Sequence, residues 1–100
     1  MVDRETGINL LAKTLQLKIY YETSEWEVLE SHLVSMKTYI RRHARIAYQR
    51  DNYLRILFYV KQLMQLDRSR PEAVAKLYER IEAEPSLTEK EWLLGQVGAG

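Results

Sequence analysis

The sequence predicts an all-α fold of about five helices stacked as hairpins, and three observations predict it. Helix breakers are kept out of the interior: the four glycines stand at 7, 95, 98 and 100, and the two prolines at 71 and 85. Good helix formers are therefore uninterrupted over long stretches. Apolar side chains recur at spacings of three and four, the signature of a buried helix face. No run alternates apolar and polar residues with the period of two that a half-buried strand needs.

The first helix is expected from about residues 6–8 to Glu22. It carries two apolar stripes, one of Ile8, Leu11, Leu15 and Ile19 and an offset one of Leu10, Leu17 and Tyr21. A helix that is apolar on two sides needs neighbours on two sides, as stacked hairpins supply. A tight turn at 23–24 follows. Ser24 is the expected N-cap of helix 2, its hydroxyl accepting a backbone N–H, with Glu25 and Glu27 at the favourable end of the dipole. Trp26, Leu29, Leu33, Met36 and Ile40 form the apolar face of helix 2, which should end near Arg42, with a break at 43–44 or, since no Gly or Pro stands there, a continuous bent helix.

Helix 3, from residue 46 or 51 to 66, is the most apolar element. Leu54, Leu57, Phe58, Val60, Leu63 and Met64 cover much of its circumference, which predicts a central position. Pro71 suits the first turn of helix 4, where a missing N–H costs little. That helix presents Val74, Leu77, Tyr78 and Ile81, with Glu72 and Lys76 four apart on its surface. Ser86, Leu87, Thr88 and Glu89 have the form of a capping box opening helix 5. There Trp92, Leu93 and Val97 dock back, and the glycine-rich last residues fray.

A chain of 100 residues reads as one domain, burying roughly 60–70% of its unfolded surface. The absence of cysteine excludes disulfide and thiol chemistry. The first residues lack the basic segment and apolar run of a signal peptide. The most apolar stretch, residues 53–66, is broken by Arg55, Lys61, Gln62 and Gln65, too short and too polar to span a bilayer. A cytoplasmic location and no membrane partner are expected. Net charge is only +1 but unevenly spread. Residues 37–70 hold nine bases against Asp51 and Asp67, a net of +7, between two flanks of −3 each. Such a basic band needs a compensating partner.

The stretch from Tyr20 and Tyr21 through Trp26 and Leu29 to Leu33 resembles the centre of a tetratricopeptide (TPR) hairpin. In that family a Tyr-Tyr pair ends the first helix and an aromatic opens the second ahead of a packed apolar position. The resemblance covers about a third of the chain. Leu17 and Leu29 stand where the family prefers Gly or Ala, and no proline ends the repeat on schedule, which implies a looser, wider-spaced hairpin. The whole chain also resembles the C-terminal end of larger uncharacterised bacterial helical-repeat proteins. The resemblance implies a right-handed, TPR-like solenoid fragment: a hairpin at about 8–42, a central helix at 46–66 and capping helices at 71–97. The acidic segment 71–100 fits the polar outer face of a terminal repeat. The resemblance informs fold far more than activity.

No catalytic, cofactor or metal site is expected. With every glycine near a terminus there is no interior phosphate-binding loop, and no serine stands in a nucleophile elbow. Neither His32 nor His43 has a histidine or carboxylate three or four residues away. His32 reads as a structural, partly buried side chain and His43 as a surface one. The acids Glu22, Glu25, Glu27 and Glu30 could form a set, but preference for the helix N-terminus explains them. Trp26 and Trp92 read as core residues rather than exposed anchors, while Tyr20, Tyr21, Tyr39 and Tyr59 could line a groove or serve simply as half-buried packing residues.

The basic band competes with a purely structural account. Lys37, Arg41, Arg42, Arg45, Arg50 and Arg55 are interleaved with Tyr39, Tyr48 and Tyr53. Like charges four apart, as at Arg41 and Arg45, cost an isolated helix roughly 0.2–0.5 kcal/mol. The favoured explanation is internal pairing with acids of helices 1 and 4 or of the first turn. Next comes a protein or acidic peptide clamped by guanidinium groups. Nucleic acid is third, since phosphate contacts and base stacking suit the band but the acidic flanks oppose it. The expected function is a non-enzymatic protein–protein interaction or assembly module, with nucleic-acid binding through the same ridge as the alternative. Candidate contacts are Arg41, Arg42, Arg45 and Arg50, with Tyr21 and Tyr48 as additions. An exposed face on helix 1 would also offer a route to a homodimer.

Overall fold

The structure, a computed structural model, describes residues 4–98. Residues 1–3 and 99–100 lie outside it, and with them the start of the segment read as lacking a signal peptide and the end of the tail expected to fray. The described residues form five α-helices and no strand: α1 (Arg4–Glu22), α2 (Trp26–His43), α3 (Ala47–Met64), α4 (Pro71–Glu82) and α5 (Lys90–Gly98). The all-α expectation holds. No helix is long and apolar enough to cross a membrane, among the described residues. The chain folds as two compact units, Met1–Asp51 and Asn52–Gly100, with the boundary inside α3.

In the first unit α1 and α2 make an antiparallel hairpin. Leu10 and Leu17 of α1 and Leu29, Met36 and Ile40 of α2 retain no exposed surface. Complete burial of each such side chain is worth about 1.5–3 kcal/mol. Thr6, Thr14 and Tyr21 complete the buried line of α1. The Thr14 hydroxyl is satisfied locally, donating to the Leu10 carbonyl at 2.7 Å. Polar contacts close the edge of the seam. Asn9 donates to the Tyr39 hydroxyl at 2.9 Å, and the His32 ring nitrogen lies 2.8 Å from the Lys13 carbonyl. The Lys13 ammonium sits 4.8 Å from the Tyr39 ring centroid.

The turn between them differs from the one expected. Ser24 does not cap α2: the N-cap residue is Glu25, and it makes no side-chain cap bond. Ser24 instead takes the left-handed conformation, φ 58°. Its N–H donates to the Tyr21 carbonyl at 3.1 Å, and the Glu25 N–H donates to the Tyr20 carbonyl at 2.9 Å. Those paired bonds end α1 in a Schellman motif, which demands a left-handed residue where glycine is usual. The serine is occupied in closing the first helix and is not free to open the second.

The second unit packs the remainder of α3 with α4 and α5. Ile56, Leu57, Tyr59, Val60 and Leu63 are buried on α3, Leu77 and Ile81 on α4, Leu93 and Val97 on α5. Buried Asn52 grips the α4–α5 connection from both sides of its amide. Its nitrogen donates to the Thr88 hydroxyl at 2.9 Å, and its oxygen accepts from the Thr88 N–H at 3.1 Å. Basic side chains satisfy the orphan carbonyls at helix ends. Arg68 donates to the carbonyls of Gln96 and Val97 at 2.9 and 3.0 Å, and Lys90 donates to those of Glu82 and Glu84. Pro71 opens α4 as expected. Glu72, however, pairs with Arg70 at 2.9 Å rather than with Lys76. Helix α5 starts at Lys90, after a turn through the expected capping residues.

Ser24→Gly should stabilise the chain by about 0.5–1 kcal/mol, the relief of left-handed strain outweighing the extra freedom of the unfolded glycine. Urea denaturation followed by circular dichroism checks it. A second expectation concerns Tyr59, whose hydroxyl donates to Glu84 Oε1 at 3.0 Å. Burial, and then the Glu84 carboxylate, push this phenol above the ordinary 10.0. The folded state therefore holds the proton more tightly than the unfolded chain does. Its contribution is complete below the ordinary value and is lost as pH rises through the elevated one. Stability measured across the alkaline range should fall there, and Tyr59→Phe should flatten that fall while costing about 1 kcal/mol at neutral pH.

Candidate partner-binding site

Six residues were expected to make partner contacts, and all lie in the first unit. Arg41 and Arg42 occupy the last turn of α2, where the negative end of the helix dipole favours cations. The helix stops there because Ala44, 3% exposed, turns to an extended conformation, φ −78° and ψ 98°. Arg45 lies in the short connection that follows, and Tyr48 in the first turn of α3. All four are exposed, Tyr48 at 65%.

The other two differ from them in exposure. Tyr21 is buried in the α1–α2 seam, with its ring edge-on to Trp26 at 5.3 Å between centroids. Its position on the inner line of α1, eleven and four residues beyond Leu10 and Leu17 respectively, accounts for that. Trp26 in turn is 45% exposed, against the core role expected of it. Arg50 is half-buried and approaches the neighbouring Asp51 at 3.9 Å.

The electrostatics separate the band into two classes. Arg55 pairs with Glu84 at 3.5 Å, and Arg50 with Asp51, so internal compensation serves these two. Among the described residues, the side chains of Lys37, Arg41, Arg42 and Arg45 make no ion pair or hydrogen bond. Internal pairing, the explanation favoured from sequence, therefore does not extend to the densest part of the band. Lys37 precedes Arg41 by one helical turn on the same face, so both project from one side of α2. His43 adds an exposed ring to this end, tilted 37° against Tyr39 with 4.5 Å between centroids.

The remaining candidates behave as structural groups. His32 is half-buried, bonded to the Lys13 carbonyl and edge-on to Tyr20 at 5.5 Å. Sequence reasoning could not have found that partner, because a backbone carbonyl carries no residue-type signal. Glu22, Glu25, Glu27 and Glu30 are all exposed, and among the described residues no three histidine or carboxylate side chains are grouped to hold a metal ion. In the second unit an open cleft of about 510 Å³ is lined by Arg68, Val74, Tyr78 and Val97 among others. Its walls are apolar, and the Arg68 guanidinium is already committed to helix carbonyls.

Since Arg41 and Arg45 make no ion pair or hydrogen bond among the described residues, Arg41→Glu with Arg45→Glu should shift unfolding free energy by less than about 1 kcal/mol, mostly through the helix dipole. Thermal and urea denaturation of the double variant checks this, and gross unfolding would show the arginines to be internal partners after all. Compared with protein-family models, curated proteins and solved structures, the chain matches none.

Proposed function

We propose that the chain is a non-enzymatic protein–protein interaction module of TPR-like helical-repeat type, and that Arg41, Arg42 and Arg45 engage an acidic segment of a partner. One observation carries the reading: within five residues of chain, three exposed guanidinium groups have no acid of their own among the described residues. Each guanidinium offers a planar fork of donors that matches a carboxylate in two parallel hydrogen bonds, which is geometry as well as charge. Like charges so close reinforce one another, since their separation along the chain is within a Debye length of about 8–10 Å at ordinary salt. An anionic partner relieves that repulsion on binding. The antiparallel hairpin of α1 and α2, with its tyrosine-rich turn, supports the helical-repeat part of the reading.

Nucleic acid remains the second reading, and Tyr48 is the observation that favours it. A 65% exposed ring within seven residues of chain of three arginines has the composition of a stacking platform with phosphate contacts. The acidic flanks and a net charge of only +1 weigh on the other side.

Fluorescence anisotropy distinguishes the two. A labelled glutamate-rich peptide and labelled single- and double-stranded oligonucleotides are titrated with the chain at about 50 and then 300 mM salt. The expected result is peptide binding at the lower salt that weakens about tenfold at the higher, and that disappears in the Arg41→Glu, Arg45→Glu variant. Tighter binding of an oligonucleotide, with a steep salt dependence, would move the function to the second reading. No binding of either probe at the lower salt would remove the basic segment as a contact site.

A further inference from the structure

The outer line of α1 is the largest ordered apolar feature that the first unit leaves uncovered. Ile8, Leu11, Leu15 and Ile19 are 58, 64, 59 and 48% exposed. They lie on one side of the helix, about 145° around from the buried line of Leu10, Leu17 and Tyr21 at 3.6 residues per turn. Val28 and Val34, the exposed valines of α2, stand six residues apart and on different sides of that helix. A continuous row of four needs a partner.

Charge says what kind of partner. Arg4 and Glu22 stand at the two ends of α1. Their separation spans about five full turns, so both fall on the line of the stripe. Each occupies the end of the helix where its own dipole is unfavourable: a cation at the positive N-terminus, an anion at the negative C-terminus. Row and charges are arranged symmetrically about the level of residue 13. A second α1 laid antiparallel across that level sets Leu11 against Leu15, Ile8 against Ile19 and Arg4 against Glu22, twice over. It also brings each misplaced charge beside the favourable dipole end of the opposite helix. Parallel pairing would instead oppose Arg4 to Arg4 and Glu22 to Glu22.

We infer that the outer face of α1 is a self-association surface, and that two copies of this chain pair through it with their α1 helices antiparallel about a two-fold axis. The contact is isologous, as most homodimer contacts are. Glu22 keeps an interaction within its own chain, and a carboxylate accepts several donors at once. The row uses none of the arginines at the end of α2, so the inference stands or falls independently of the proposed acidic partner.

Sedimentation equilibrium of the purified chain from about 5 to 500 µM tests it, with circular dichroism as the control for folding. Eight aliphatic side chains place the contact at the small end of stable interfaces, so a dimer dissociating at about 10–100 µM is expected. Leu11→Lys with Leu15→Lys, at exposed positions, should leave the helical spectrum intact and the chain monomeric throughout. Arg4→Glu alone and Glu22→Arg alone should each weaken the dimer about fivefold to tenfold. The double exchange should restore it to within about threefold, because both pairs re-form with signs reversed. A chain monomeric at the highest concentration, or a dimer indifferent to the lysines, would overturn the inference and leave the face to a different protein. A dimer that the lysines abolish but the double exchange fails to restore would overturn the antiparallel register.

Discussion

The apolar seam between α1 and α2 is the constraint on which the first half of the molecule depends. Leu10 and Leu17 meet Leu29, Met36 and Ile40 with no surface left to water. A helix is rigid in rotation, so choosing which line of α1 enters this seam also chooses which line faces out. Burying residues 10, 17 and 21 turns residues 8, 11, 15 and 19 to the solvent. The same rotation brings Asn9 within reach of Tyr39, and the Lys13 carbonyl within reach of His32. The seam is dispersive and non-directional, whereas those two contacts are directional and fix its register.

The turn obeys the seam as well. An antiparallel hairpin needs the chain to reverse within a few residues, and a Schellman end does so while satisfying two carbonyls of the last turn of α1. That geometry requires a left-handed residue, which serine supplies at a cost that glycine would avoid. At the far end of α2 a different device operates. Ala44 is buried and extended, which stops the helix and places Arg41, Arg42 and Arg45 around its terminus. The helix dipole accounts for cations being tolerated there. It does not account for three of them so close together without an acid among the described residues, and that surplus is the basis for reading the segment as a contact surface.

The second half is held differently. Its helices α4 and α5 are short, and short helices carry a large share of unsatisfied terminal groups. The structure answers with long-range polar ties, in which Arg68 and Lys90 cap carbonyls and Asn52 binds Thr88 through both amide atoms. Tyr59 joins the same set through Glu84, which also receives Arg55. Among the described residues no buried side-chain polar atom is left without a partner. These ties were illegible in advance. Arg55 and Arg50 read as members of one basic band with Arg41 and Arg45, internal pairing being favoured for all of them, and only a folded neighbour tells them apart.

What the sequence by itself determined is the helical class and the approximate extent of most elements, including Pro71 at the start of α4, whereas the stop near residue 43 has no Gly or Pro to mark it. The sequence also located the two apolar lines on α1 and the basic band. These are local properties: periodicity, breakers and charge are written within a turn or two of chain. Tertiary structure decided which of the two lines is buried, that Tyr21 is sealed in the seam, that Ser24 closes α1 instead of opening α2, and which arginines meet an acid. Each of those outcomes depends on the position of a group brought close by folding, and the pairing of such groups is not encoded in local spacing.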